Sequence, residues 1–349
     1  MYGGYIVKEL ERILFLYNAH AGKGKIKMDL SDIVELFVNA DYEVTIHSTK
    51  GRGDAKEVAT AKGIDYDIIV ASGGDGTLSE VINGVMTIER DKRPKIGFIP
   101  AGTTNDFAMN FKIPKEKVNA ARQIVIGKPY PYDIGSFNGK YFHYVASFGL
   151  FAGVSYTTPQ AFKNILGRMA YVAEGAKSLA YIQSYNMRVE FDGNVIEDEF
   201  INGMITNANS VGGFKSITGK NVTLNDGLFE VMLIKMPNNL IELQSILNCL
   251  ILQDLQNNYI YKFKASHIKI KADKNVDWTL DGEFGGECIE TEIINHKQAI
   301  DFLVNENIIT ELKENEENDF EDNTLLNESN QDVFEKIVKK FERAIRGEK

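Results

Sequence analysis

The chain is poor in cysteine. Its 349 residues include two, Cys249 and Cys288, which form neither a Cys-x-x-Cys pair nor a disulfide framework. The five scattered histidines show no metal-ligand spacing, so no structural zinc is expected and the chain reads as adapted to a reducing compartment. The segment from Met1 to Arg12 lacks the basic, apolar, small-residue order of a signal peptide. No apolar run reaches the length of a membrane span. These absences predict a cytoplasmic protein. Basic charge is also in deficit, with 39 Lys and Arg against 49 Asp and Glu and a net charge of −10, which argues against nucleic acid as a partner.

The acidity is uneven. Glu306 to Asp332 holds ten acids and one base, and Val333 to Lys349 holds six bases and three acids. The body before them is therefore close to balanced. With 44% hydrophobic and 25% charged residues, that body is long enough for two domains, each with its own core.

The stretch around which the chain is organised is Ser72-Gly73-Gly74-Asp75-Gly76-Thr77. An apolar run, Asp67 to Ala71, precedes it and reads as a buried parallel strand; Leu78 to Gly84 follows and reads as a helix. In open α/β sheets, ligands bind at such strand-to-helix turns. The glycines are expected to take positive φ and to bring N–H groups close to a polyanion at a helix N-terminus. Asp75 would repel a phosphate unless a divalent cation lay between them, so the turn points to Mg-nucleotide. The bland alternative is a glycine turn with a solvated aspartate.

Similar elements surround it. Arg12 to Asn18 reads as a strand followed by Ala19-His20-Ala21-Gly22-Lys23-Gly24-Lys25, a second candidate phosphate loop without Walker spacing. Asp41 to Ser48 reads as a strand and Asp54 to Lys62 as a helix. Lys95 to Ile99 is a further strand, running into Pro100-Ala101-Gly102-Thr103-Thr104-Asn105-Asp106-Phe107. This alternation predicts a doubly wound α/β nucleotide-binding domain over residues 1–130.

Beyond Gly127 the pattern changes. A hairpin is expected at Asn138-Gly139, helical stretches from Gln160 to Gln183, and then many short strands with one late helix, Leu240 to Leu255. Residues 131–304 are thus predicted to be a β-sandwich domain, whose last strand could return to the first domain. The aromatic-rich stretch from Tyr141 to Tyr185 reads first as core and second as an acyl-chain pocket. Trp278-Thr279-Leu280-Asp281-Gly282-Glu283 places two carboxylates in a turn. In phosphoryl transfer to a hydroxyl, one carboxylate accepts the proton while others hold Mg²⁺.

Taken together, these motifs resemble the soluble diacylglycerol kinase family, whose catalytic domain is shared with sphingosine and ceramide kinases and more distantly with NAD kinases. The likeness covers about Arg12 to Val304. It rests on Gly73 to Thr77 with Glu80 to Gly84, on Pro100 to Ala108, on Tyr132-Asp133-Ile134-Gly135, on Asp226-Gly227-Leu228 and on Asp281 to Glu283. The resemblance implies a lipid kinase that uses ATP and Mg²⁺, with diacylglycerol as the favoured acceptor. It implies that Asp75 meets the Mg-ATP phosphates, with Gly73, Gly74, Gly76 and Thr77 lining them. Asn18, Gly22, Gly24 and Lys25 would form the first nucleotide loop, and Thr103, Asn105 and Asp106 the next. Glu283 would be the general base and Asp281 its partner, these carboxylates converging with Asp75 in a cleft between the domains. A structural Mg²⁺ would take the Asp226 side chain and the carbonyls of Thr223 and Leu228. The sequence departs from the family where Asn18-Ala19 replaces Asn-Pro, which removes a φ constraint but no phosphate donor.

A kinase of lipids has to touch a bilayer. After the acidic stretch, Phe334, Ile337, Val338, Phe341 and Ile345 fall on one helical face, with lysines around the rest. Residues 305–349 therefore read as an acidic tether and an amphipathic helix suited to peripheral binding at the inner face of the membrane. Packing of that helix on the body or in a homodimer is the alternative. Another lipid alcohol (a sphingoid base, ceramide or monoacylglycerol) is the nearest competing acceptor. An NAD kinase and a catalytically silent lipid-binding regulator are the other readings.

Overall fold

The computed structural model describes residues 10–24, 26–102, 105–150, 182–208, 210–211, 214–215, 222–252 and 258–318. The chain divides into two compact units. One runs to Ile134 and takes back His296–Glu311; the other holds Gly135–Asn295 and the chain from Leu312.

The first unit follows the predicted alternation. Its elements are β1 (Glu11–Tyr17), α1 (Ile26–Asn39), β2 (Tyr42–Ser48), α2 (Asp54–Lys62), β3 (Ile68–Gly73), α3 (Asp75–Val85), β4 (Lys95–Pro100), α4 (Asp106–Asn110) and α5 (Lys117–Ile126). The strands pair in parallel in the order β2, β1, β3, β4. β3 is buried along its whole length because helices cover both faces of a parallel sheet, so it reads as an unbroken apolar run. Phe15, Val70, Ile33, Phe37, Ala120 and Ile124 share its core. Strand order reverses direction between β1 and β3, and such a switch point opens a crevice beyond the carboxyl ends of the strands.

Two motif residues hold this unit together. The first turn of α2 has Gly53 as its cap, which has no side chain to offer. Glu80 of α3 reaches across instead, accepting from the N–H groups of Gly53 at 2.7 Å and Ala55 at 3.2 Å. Asp133 is fully buried and accepts from the Gln298 N–H at 2.6 Å. The Gln298 bond ties the start of the second half of the chain to its returning last strand.

The second unit is antiparallel. It contains the end of β5 (Lys128–Phe137), then β6 (Lys140–Phe142), β7 (Val145–Gly149), β8 (Tyr185–Phe191), β9 (Asn194–Thr206), β10 (Ser210–Val211), β11 (Phe214–Lys215) and β12 (Phe229–Lys235). Helix α6 (Leu240–Leu252), β13 (Ile260–Ala265), β14 (His267–Leu280) and β15 (Glu283–Val304) follow, and α7 (Glu306–Asn318) ends the described chain. β14 pairs β8 along Ile268 to Ala272 and β7 along Trp278 to Leu280; β9 divides between the same two partners. Strands that exchange partners let antiparallel sheets wrap a core. Trp278, Phe148, Phe200 and Phe229 fill it. β12 is apolar from Val231 to Ile234 because both its faces are covered there: Val231 and Leu233 belong to this core, while Met232 and Ile234 join Leu243, Ile246 and Leu250 of α6.

Some sequence expectations are redrawn. Cys288 to Ile293 and Ala299 to Val304 are not separate strands but parts of β15, which runs for 22 residues through both units and pairs β4 at Phe302 and Ile96. The acidic stretch opens as a helix rather than a tether, with the Asn305 side chain accepting from the Asn307 N–H at 2.9 Å as a cap. The helical stretch expected after Gln160 falls outside the described residues up to 181, and the amphipathic segment from Val333 falls wholly outside them. Of the aromatic-rich stretch, Tyr141, Phe142, Tyr144, Phe148 and Tyr185 are described; Tyr141 is partly exposed and the other four are core. Phe151, Tyr156, Phe162, Tyr171 and Tyr181 lie outside.

Candidate active site

Three loops meet at the carboxyl ends of β1, β3 and β4. The Asn18 N–H donates to the Ser72 carbonyl at 2.8 Å, and the Ala101 N–H to that of Gly73 at 2.7 Å, so each loop leaves its strand already tied to the next. Within the first loop the Asn18 side chain accepts from the His20 N–H at 2.9 Å. Within the third, Asn105 is held at φ 53°; its side chain accepts from the Gly102 N–H at 3.0 Å and donates to the Gly102 carbonyl at 2.9 Å. Asn18 and Asn105 thereby shape their loops.

The glycines act through close approach more than through conformation. The expectation of positive φ at the central turn is corrected: Gly73, Gly74 and Gly76 are absent from that region, which Gly22 at 55° and Gly24 at 72° occupy instead. A Cβ on Gly102 would lie 2.6 Å from the Gly74 Cα, and one on Gly73 would lie 2.3 Å from Thr77 Oγ1. A Cβ on Gly22 would lie 2.2 Å from the Ala101 carbonyl oxygen. The three backbones therefore pack together as closely as glycine allows.

Asp75 is the first residue of α3, half-buried with one carboxylate oxygen fully enclosed. Backbone-lined loops at a switch point, a helix N-terminus and one carboxylate are a donor set that fits a nucleotide with Mg²⁺. Thr77 is buried in the same first turn. Lys25 and Thr103 lie outside the described residues, and of Asp106 the backbone alone is described, opening α4.

Gly22→Ala should abolish nucleotide binding. The added Cβ meets backbone rather than a flexible side chain, and φ is positive there, so the loop has to move. In thermal melts, saturating ATP should raise the wild-type Tm and leave that of the variant within about 1 °C, since stabilisation follows ligand occupancy. An undiminished ATP shift in the variant would remove this loop from the site.

In the second unit the two predicted carboxylates separate in kind. Asp281 is buried, 4% exposed at the side chain, at φ 50°. Its carboxylate accepts from three consecutive backbone N–H groups: His143 at 3.0 Å, Tyr144 at 2.9 Å and Val145 at 3.0 Å. His143 Nδ1, fully buried, stands 2.7 Å from Oδ2. Burial works to raise the Asp281 carboxyl, but the His143 charge and hydrogen bonds outweigh it and hold it below the ordinary carboxylate value. Glu283 opens β15 with its side chain exposed. The turn thus locks one carboxylate into the fold and presents the other. Nothing in the sequence marked His143, because a single histidine carries no spacing signal.

Asp226, Thr223 and Leu228 also lie in the second unit. Asp226 Oδ1 accepts from the Leu228 N–H at 2.9 Å, and Oδ2 lies 3.2 Å from Lys264 Nζ. Nearby Glu230 is 3% exposed; burial pushes its carboxyl up to about 7 against the pull of Lys264.

The comparisons follow this division. Residues 12–137 match the diacylglycerol kinase catalytic domain, and residues 145–296 match the YegS C-terminal NAD kinase beta sandwich-like domain. The diacylglycerol kinase of Bacillus subtilis (strain 168) is 34% identical over 288 residues, covering 82% of this chain and 94% of that protein. The diacylglycerol kinase of Staphylococcus aureus (strain MRSA252) is 34% identical over 321 residues, covering 91% and 99%. A crystal structure of a candidate diacylglycerol kinase from Bacillus anthracis str. Sterne superposes with a TM-score of 0.70 at 27% identity, covering 86% of this chain and 99% of that one. The two matched domains define a kinase that joins an α/β catalytic unit to a β-sandwich-like unit. The chain belongs to the diacylglycerol kinase family.

Proposed function

We propose that the protein transfers the γ-phosphoryl group of ATP to the hydroxyl of diacylglycerol, giving phosphatidic acid. The observation that carries this reading is the meeting of three glycine-lined loops at the switch point of a parallel sheet, in a chain of this family. The loop backbones around Gly22, Gly74 and Gly102 hold the nucleotide phosphates. Asp75 would hold Mg²⁺, which would supply neutralising charge for the transferring group. Glu283 accepts the proton of the attacking hydroxyl, and Asp281 keeps the turn that carries it in place. Positioning and charge, rather than a covalent intermediate, supply the rate.

Among the described residues no helix is long and apolar enough to cross a membrane. We infer that the enzyme reaches its lipid peripherally, through the basic amphipathic segment from Val333 to Lys349.

One assay tests both parts. Labelled phosphate from ATP is followed into diacylglycerol, monoacylglycerol, ceramide, a sphingoid base and NAD, with the lipids in anionic vesicles. Diacylglycerol should be phosphorylated fastest, and removal of residues 333–349 should weaken sedimentation with the vesicles. A tenfold preference for another acceptor would replace the substrate, transfer to none would leave a silent lipid binder, and unchanged sedimentation would end the membrane role.

A further inference from the structure

β12 and β13 run antiparallel with Glu230 directly opposite Lys264. The Lys264 ammonium stands 3.0 Å from Glu230 Oε1 and 3.2 Å from Asp226 Oδ2, so it bridges a carboxylate buried in the unit and one in the Asp226-Gly227-Leu228 turn. The other Asp226 oxygen closes that turn by accepting from the Leu228 N–H. Both oxygens of Asp226 are therefore engaged.

This is the turn to which family resemblance assigns a structural Mg²⁺. The residues present do not fit one. Mg²⁺ requires near-octahedral oxygen ligation and usually a free carboxylate, whereas the outward oxygen of Asp226 faces the Lys264 ammonium at 3.2 Å. Swinging Lys264 aside to admit a divalent ion would also take the ammonium away from Glu230, which faces it across the strand pair and is 3% exposed.

We propose that Lys264 is the built-in cation of this turn, its ammonium standing where a structural divalent ion would otherwise be needed, so that the second unit folds and stays folded without metal. The inference concerns the fold of the second unit and is independent of the substrate.

Thermal melts of the full chain without nucleotide, in EDTA and in millimolar Mg²⁺, test this. Mg²⁺ bound elsewhere shifts wild type and Asp226→Asn alike, so the informative quantity is the difference between their Mg²⁺ shifts, expected to be zero. Lys264→Met should melt at least about 2 °C lower than wild type in EDTA. Mg²⁺ should recover part of that loss, and the recovery should vanish in Lys264→Met/Asp226→Asn. Lys264→Arg, which keeps a cation, should melt near wild type in EDTA. A wild-type Mg²⁺ shift that disappears in Asp226→Asn would overturn the proposal, as would a Lys264→Met protein that melts with wild type in EDTA. Should Lys264→Met not fold, the comparison of wild type with Asp226→Asn and the behaviour of Lys264→Arg still decide it.

Discussion

Asp281→Asn is expected to lower the stability of the fold by about 3–5 kcal/mol at neutral pH, the range for removing one partner of a buried ionic pair. The carboxylate is nearly inaccessible, it collects the N–H groups of His143, Tyr144 and Val145, and it faces a fully buried imidazole. Asparagine keeps one acceptor oxygen but loses the charge and turns a donor toward N–H groups, leaving buried donors unsatisfied. The sign of the pH effect follows from the depressed Asp281 carboxyl. A group held below its unfolded value of 3.8 contributes stability that is fully present above that value and is lost as pH falls through the folded value. Urea titrations of wild type and variant should therefore show their widest gap near pH 7 and a narrowing gap below about pH 4. A gap under about 1 kcal/mol at pH 7 would mean that the carboxylate is not the anchor of this turn.

Glu283→Gln should do the reverse. Its side chain is exposed at the start of β15, so the substitution is expected to move stability by no more than about 0.5 kcal/mol. If Glu283 is the general base of the proposed reaction, kcat for lipid phosphorylation should fall by roughly 10²–10⁴-fold with ATP binding unchanged. The pair of variants separates two carboxylates that sit two positions apart: one should cost stability and the other rate. A loss of less than tenfold in Glu283→Gln would move the base elsewhere, and a matching loss of stability would make Glu283 structural.

Elements with strong local signals were legible from composition and order. β1, β3 and β4 read as buried strands because a parallel sheet covered on both faces has no polar side to display. The hairpin expected at Asn138-Gly139 is found between β5 and β6 with Gly139 at φ 81°. β14 was less legible. Its middle, Asp273-Lys274-Asn275, is polar, and exchange of partner from β8 to β7 carries the strand through it. β15 escaped for the same reason, because Asn295 to Gln298 is polar where the strand passes from one unit to the other.

By itself, the sequence determined the alternation of strands and helices, the three loops at one end of a parallel sheet and the residue types in them, because periodicity and glycine placement act over a few neighbouring residues. Tertiary structure alone decided what each of these residues does. Gly73 and Gly102 turned out to be spacers for Thr77 and Gly74, Glu80 a cap for a different helix, and Asp281 an anchor held by His143. Lys264 came to pair with both Asp226 and Glu230. Each of those roles depends on an atom brought from a distant stretch of chain. Residues 138 positions apart, such as His143 and Asp281, leave no periodicity to read, and their pairing exists only once the sheet has closed.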